Sequence, residues 1–326
     1  MQNALKRALA GALVLALATP VTALAQGAPS PAPAALAAGQ PAPVFTQQQL
    51  DQILAPVALY PDPLLTSILT AATYPLEVVQ AARWVADPRN AQLKGEALTA
   101  ALANQPWDPS VTALVPFPQV LKMLDSRLDW MQQLGDAFLS QQAAVMDSVQ
   151  RLRQEAETAG KLQSTPQQAV SNQDGAIVIA PSDPDEVYVP AYDPSVVYGS
   201  WPYPDYPPVY IPWWSGDNYG PALGAGIVFG AGIALIGSPW FFWGDFDWRH
   251  HHVRVDPDRF NRLAGDRRQG AGVQFPGNVW QHDPAIAAAS LIATSRPASA
   301  SSPARPPSAT GRSVFPFAAM PRRSSR

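Results

Sequence analysis

Five side chains able to hold metal or move protons crowd one short stretch: Asp245, Asp247, His250, His251 and His252. Carboxylate oxygens and imidazole nitrogens together suit a divalent cation. Neighbouring side chains on a strand point to opposite faces, so one chelate would draw on His250, His252 and Asp247 and leave His251 out. The sequence offers no second cluster, so a solvated turn that happens to carry histidines stays open as the other reading.

Upstream, Gly224-x-Gly226-x-x-x-Gly230 loosely follows a dinucleotide-binding fingerprint. That fingerprint works only between a strand and a helix of a βαβ unit, and here a proline-aromatic stretch precedes it and Pro239 follows. No cofactor is expected. The same region reads better as an apolar element. Residues 221–243 form 23 uncharged positions, GAGIVF and GAGIAL repeat in tandem, and Gly220/Gly224 and Gly226/Gly230 are small-xxx-small pairs that allow close approach. Trp240 and Trp243 would suit a membrane interface. Against a span, residues 220–243 include six glycines and two prolines. A membrane span, a surface-lying hairpin, a self-association element and an internally packed hairpin all remain open.

Residues 199–220, GSWPYPDYPPVYIPWWSGDNYG, carry seven Trp or Tyr side chains between prolines that favour an extended polyproline conformation. Trp201, Tyr203, Tyr206, Tyr210, Trp213 and Trp214 are the candidate interaction residues. One reading is a strap that buries its rings against the protein; the other is an aromatic platform for a glycan or a partner protein. No nucleophile elbow, HExxH, Walker loop or cysteine–histidine pair occurs, and no two carboxylates are marked as general acid and base. Basic residues are not interleaved with a folded aromatic surface, which argues against nucleic acid.

The elements that must position these residues divide into a helical part and a β-rich part. Thr46 and Gln49 have capping-box spacing, and Leu50, Ile53, Leu54 and Val57 fall on one helical face. Asp62-Pro63 reads as a cap and first-turn residue, with Leu64, Leu65, Ile68 and Leu69 as the stripe behind it. Leu76, Val79 and Trp84 are expected to carry the next helix. Others follow near 90–104 and 117–124, and a long one spans about 125–160, with Gly160 as its cap. Near Pro166 the period changes. GAIVIAP, EVYVPAY and SVVYG read as short strands, and the last two contain a repeated D-P-x-x-V-Y at Asp183–Tyr188 and Asp193–Tyr198.

The chain has 326 residues, 36 prolines and no cysteine, so stability must come from packing without disulfides or thiolate metal sites. Residues 26–219 hold 19 Asp or Glu against 8 Lys or Arg, while residues 244–326 hold 6 acidic residues and 12 Arg. A basic end of this kind contacts an anionic surface or is simply solvated. Lys6 and Arg7, the apolar run ALAGALVLALA and Ala23-Leu24-Ala25 have the order of a cleavable secretory signal.

The stretches LDQILAPVALYPDPLLTSILTAATYPLEVVQAARWV, QPWDPSVTALVPFPQVLKML, IVIAPSDPDEVYVPAYDPSVVYG and VWQHDP resemble a family of exported bacterial proteins described as domain of unknown function 3300. The resemblance implies export and supplies no catalytic residue, cofactor or substrate. After Pro284 the chain departs from the family pattern at IAAASLIA; an ordinary low-complexity tail and a one-base frame slip both account for it.

The expected organisation is therefore α+β: signal peptide 1–25, disordered linker 26–45, helical domain 46–165, β-rich extension 166–199, proline-aromatic strap 200–219, glycine-rich apolar segment 220–243, basic segment 244–284 and disordered tail 285–326. The expected function is a non-enzymatic interaction or structural role at the cell envelope, with an envelope protein, a glycan, a membrane surface or a second copy as partner. The rival is an envelope enzyme acting on a cell-wall or surface polymer through carboxylates not yet identified.

Overall fold

The first helix opens on the capping box. Thr46 Oγ1 accepts from Gln49 N at 3.3 Å, and Gln49 Oε1 accepts from Thr46 N at 2.8 Å, which satisfies two donors at the start of α1, Gln47–Leu54. The computed structural model describes residues 44–211, 224, 226–235, 239–264 and 278–284. The expected signal peptide and tail, nearly all of the linker, and Trp213, Trp214 and Gly220 lie outside the described residues.

Proline opens helix after helix, because its missing N–H and fixed φ cost nothing in a first turn. It is the first or second residue of α2 (Asp62–Ala71), α3 (Pro75–Ala86), α5 (Pro109–Ala113) and α6 (Pro118–Ser126), with α4 at Gly95–Leu102 between them. The buried face of α3 is Glu77, Val78, Ala81 and Ala82, with Leu76 and Val79 only half-buried. This corrects the expected apolar stripe. Glu77 turns inward because its Oε2 accepts from the backbone N of Asp108 at 2.5 Å.

The single helix expected at 125–160 is interrupted. α6 ends at Ser126, α7 runs Leu128–Ser140 and α8 runs Gln142–Thr158, with Arg127 and Gln141 leaving helical geometry at ψ 64 and ψ 45. Neither break has a proline or glycine to announce it. At the second, Gln141 clamps Phe45 from both sides, accepting from its N at 2.6 Å and donating to its O at 3.1 Å. Gly160, at φ +68, closes α8 as expected, with Lys161 N returning to Ala156 O at 2.8 Å.

Beyond it, β1 (Gln168–Gln173) and β2 (Ala176–Pro181) form an antiparallel hairpin whose two turn residues, Asp174 and Gly175, both have positive φ. Ile177 and Ile179 are the buried side of β2. The two D-P-x-x-V-Y repeats then diverge. The first leads into β3 (Glu186–Val187), followed by β4 (Pro190–Ala191). The second folds as a one-turn helix, α9 (Pro194–Val197), capped by Asp193, which accepts from Ser195 N at 2.8 Å; Asp183 accepts from Asp185 N in the same way, so the cap alone does not separate the two.

The tandem glycine repeat supplies the partner strands. β5 (Val228–Phe229) pairs antiparallel with β4, and β6 (Ile233–Ala234) with β3. Residues 188–189 on one side face 230–232 on the other, one residue more, which is the signature of a β-bulge on the glycine strand. At Gly232 a Cβ would meet the Glu186 side chain, which would have to move aside. The chain continues through a 3-10 turn, Pro239–Phe242, into the hairpin β7 (Gly244–Asp247) and β8 (His252–Val255), and then α10 (Pro257–Ala264). Residues 279–280 join β8, with Trp280 N donating to Val253 O at 2.9 Å. One continuous apolar core links the helices to the hairpins, from Leu50 to Trp280.

Candidate functional site

Asp62, at the first position of α2, gathers partners from three distant segments. Its Oδ1 pairs with Arg153 of α8 at 2.6 Å and accepts from Ile179 N of β2 at 3.3 Å; its Oδ2 accepts from Trp248 Nε1 at 2.8 Å. Arg153 spends its remaining donors on Ala58 O, Tyr60 O and Ile177 O at 2.7–3.0 Å, and its guanidinium lies 5.0 Å over the Trp248 ring. A buried charge pair holds only when its other protons and lone pairs are also met, as they are here. The pair locks the β7–β8 turn and β2 onto the helices.

Above this knot lies an open cleft of about 940 Å³ between the β1–β2 turn and the β7–β8 hairpin, with α8 contributing Asp147 and Gln150. Strand alternation buries Phe246, Val253 and Val255 and turns Asp245, Asp247, His252 and Arg254 outward. Register places Asp245 opposite Arg254 and Asp247 opposite His252.

The histidines predicted as ligands do converge on Asp247. His250 Nδ1 lies 3.0 Å from Oδ1, His252 Nε2 lies 3.7 Å from Oδ2, and the two rings stack at 5.9 Å. Burial alone would raise the Asp247 carboxyl, but bonds from the His250 backbone and ring outweigh it and pull its pKa down. His251 points elsewhere, at φ +53, to meet Asp147 Oδ1 at 2.8 Å. Among the described residues no group of three or more His, Cys, Asp or Glu is set to hold a metal ion. Asp245 is the perturbed group of the cleft. Its side chain reaches solvent, yet the surrounding protein and the nearby Asp62 charge push its carboxyl up to about 6.

The aromatic stretch is laid along α1. Val209 N donates to Gln52 O at 3.1 Å, Gln52 Nε2 to Pro207 O at 2.8 Å, and Gln47 Nε2 to Tyr203 OH at 3.1 Å. Trp201 packs at a tilt against Tyr198 and edge-on against Tyr203 and donates to Tyr206 O at 2.8 Å, while Tyr210 is exposed. Of the candidate glycines, Gly224, Gly226 and Gly230 belong to or border the segment that pairs with β3 and β4. No helix among the described residues is long and apolar enough to cross a membrane.

Sequence reasoning missed Asp62 as an ion-pair centre, because Asp-Pro at a helix start reads as a cap. It missed Arg153 too, since RLRQE on a helix reads as a solvated face. Trp248, an aromatic next to a charged turn, was the available signal.

No solved structure matches the chain. Among curated proteins it is similar to "Uncharacterized protein YacH" of Escherichia coli (strain K12), with 37% identity over 301 residues, covering 74% of this chain and 47% of that one. The chain thus spans about half the length of that relative. The family model described as "Protein of unknown function (DUF3300)" matches residues 46–282, which takes in the helices, the Asp62–Arg153 knot and the cleft, and the chain belongs to that family.

Proposed function

We propose that the protein is an exported, non-enzymatic component of the cell envelope that binds a hydroxyl-rich polymer, a glycan strand, in the cleft between the β1–β2 turn and the β7–β8 hairpin. The observation that carries this reading is the cleft's lining: the carboxylates of Asp147, Asp174, Asp245 and Asp247 share one open floor with the guanidinium groups of Arg249 and Arg254 and the amide of Gln150. Sugar hydroxyls both donate and accept, so they suit a surface that offers carboxylate acceptors beside guanidinium and amide donors. The secretory-type leader supports the location. The strap supports it indirectly: most of its described rings pack on α1 and on one another, leaving the cleft as the larger polar surface. Sedimentation of the purified protein with isolated cell-wall sacculi tests the proposal. Co-sedimentation that drops at least fivefold in an Asp174→Asn/Arg254→Gln variant is expected; protein left in the supernatant with sacculi in excess rejects a glycan partner.

One observation favours an enzyme instead. Asp245, at about 6, is poised to give or take a proton near neutral pH, and Asp62 lies close enough to influence it. Release of soluble fragments from the same sacculi, lost in Asp245→Asn, would move the assignment to that class.

A further inference from the structure

A second cavity, of about 460 Å³, opens away from the cleft, where the C-terminal half of α8 meets the residues leading into the strap. Its walls include Thr158 and Ala159 from the end of α8, and Tyr198 and Gly199 opposite. Gly199 takes φ +68, a conformation that lets the backbone turn along the helix without a side chain filling the space.

The charged side of the cavity is short of cations. Arg151 reaches from α8 to Asp51 of α1 at 2.7 Å and donates to Ser148 Oγ at 2.6 Å. Glu155, one turn along α8, also lines the cavity. One guanidinium thus serves two carboxylates. Burial raises the carboxyl of Glu155, with the Asp51 charge adding to it, and burial raises Asp51 as well in spite of Arg151. Glu155 Oε2 and Arg151 Nε are both closed off and have no hydrogen-bond partner. Native interiors seldom leave such atoms unmet, and where they do, a ligand or a functional role is the usual cause.

We propose that this cavity binds a small ligand carrying a primary ammonium group on an apolar body, the ammonium pairing with Glu155 and the body lying against Ala159, Tyr198 and Gly199. An added cation supplies the charge that the Asp51–Arg151–Glu155 group lacks, and the aliphatic and aromatic walls accept a chain of several carbons. The site is independent of the glycan reading of the cleft.

The test titrates the full chain with n-hexylamine, n-hexanol and hexanoate by calorimetry at pH 7. Hexylamine is expected to bind at least tenfold more tightly than hexanol, and hexanoate not at all. Glu155→Gln should weaken the amine at least tenfold, whereas Asp245→Asn in the cleft should leave it unchanged. Thr158 is exposed at the rim, so Thr158→Trp fills the cavity without disturbing the core and should block binding even if Glu155→Gln misfolds. Equal binding of amine and alcohol, or amine affinity unchanged in Thr158→Trp, overturns the proposal.

Discussion

Arg153 and Asp62 meet at 2.6 Å with both side chains almost wholly withdrawn from water; Nε, Nη1 and Nη2 of the guanidinium each also donate to a backbone carbonyl, and its carbon lies 5.0 Å over the Trp248 ring. A contact of this kind is costly to form and costly to break. Removing one partner strands the other charge, a loss of about 3–5 kcal/mol, while removing both is often mild. Arg153→Met is therefore expected to lower the free energy of unfolding by that amount, read as a fall in the urea midpoint at unchanged m. Arg153→Met with Asp62→Asn should recover part of the loss. A single variant that melts like the parent would show that the pair is not buried as described.

Gly135 in the middle of α7 is a second sensitive point, for a steric reason. A Cβ there would run into the carbonyl of Ala72, where the turn between α2 and α3 crosses the helix. In an open helix, glycine to alanine gains about 1 kcal/mol. Here the backbone cannot step aside, so Gly135→Ala is expected to destabilise by about 2–3 kcal/mol, the usual cost of overpacking. Thermal unfolding monitored by circular dichroism reads the sign directly: a rise in Tm would refute the close crossing.

These two positions show what could be read in the sequence. The capping box at Thr46 and the Gly160 cap were legible, because each is a local device whose atoms lie within a few residues. Breaks at Arg127 and Gln141 were not, since the clamp on Phe45 comes from 96 residues away. The glycine-rich segment looked like a membrane element because its partners, β3 and β4, lie roughly forty residues upstream and pairing of that range leaves no local mark. Asp247, His250 and His252 do lie together at the β7–β8 turn, with His250 in the turn and not on the strand, so alternation is not what joins them; the carboxylates Asp62 and Asp245 acquire their character from burial, which no spacing shows.

The two buried tyrosines of the β-rich region give a test of non-additivity. Tyr192 and Tyr198 both donate to Ala55 O, at 3.0 and 2.6 Å, at the end of α1. Either one alone still satisfies that carbonyl, so Tyr198→Phe should cost about 1 kcal/mol; Tyr192→Phe should cost more, because the Tyr192 hydroxyl also accepts from the buried Leu59 N at 3.3 Å. The double variant leaves Ala55 O buried and unmet, and its loss should exceed the sum of the singles by about 1 kcal/mol or more. Strict additivity in denaturant unfolding would mean that the two hydroxyls do not share an acceptor.

Two groups should give the stability profile opposing slopes around pH 6. His282 stacks on Tyr74 at 4.8 Å, and Thr73 Oγ1, which donates to Thr70 O at 2.7 Å, accepts from its Nδ1–H at 3.2 Å. Burial lowers its pKa from the ordinary 6.5, against the smaller pull of Asp108 and Asp283. The unfolded chain therefore takes up this proton first. The stabilisation is full above about 6.5 and is lost as pH falls through the depressed folded value. Asp245 runs the other way: its folded value of about 6 lies above the unfolded 3.8, so its ionisation opposes folding above pH 6 and is relieved as pH falls toward 4. Asp245→Asn should stabilise the protein at pH 7.5 by up to about 1 kcal/mol after allowing for solvent screening, and by nothing at pH 4. His282→Gln should flatten the loss between pH 7 and 5 while leaving the Asp245 difference intact. Urea titrations of the three proteins across this range separate the slopes, and parallel curves would show that neither group is perturbed by its surroundings.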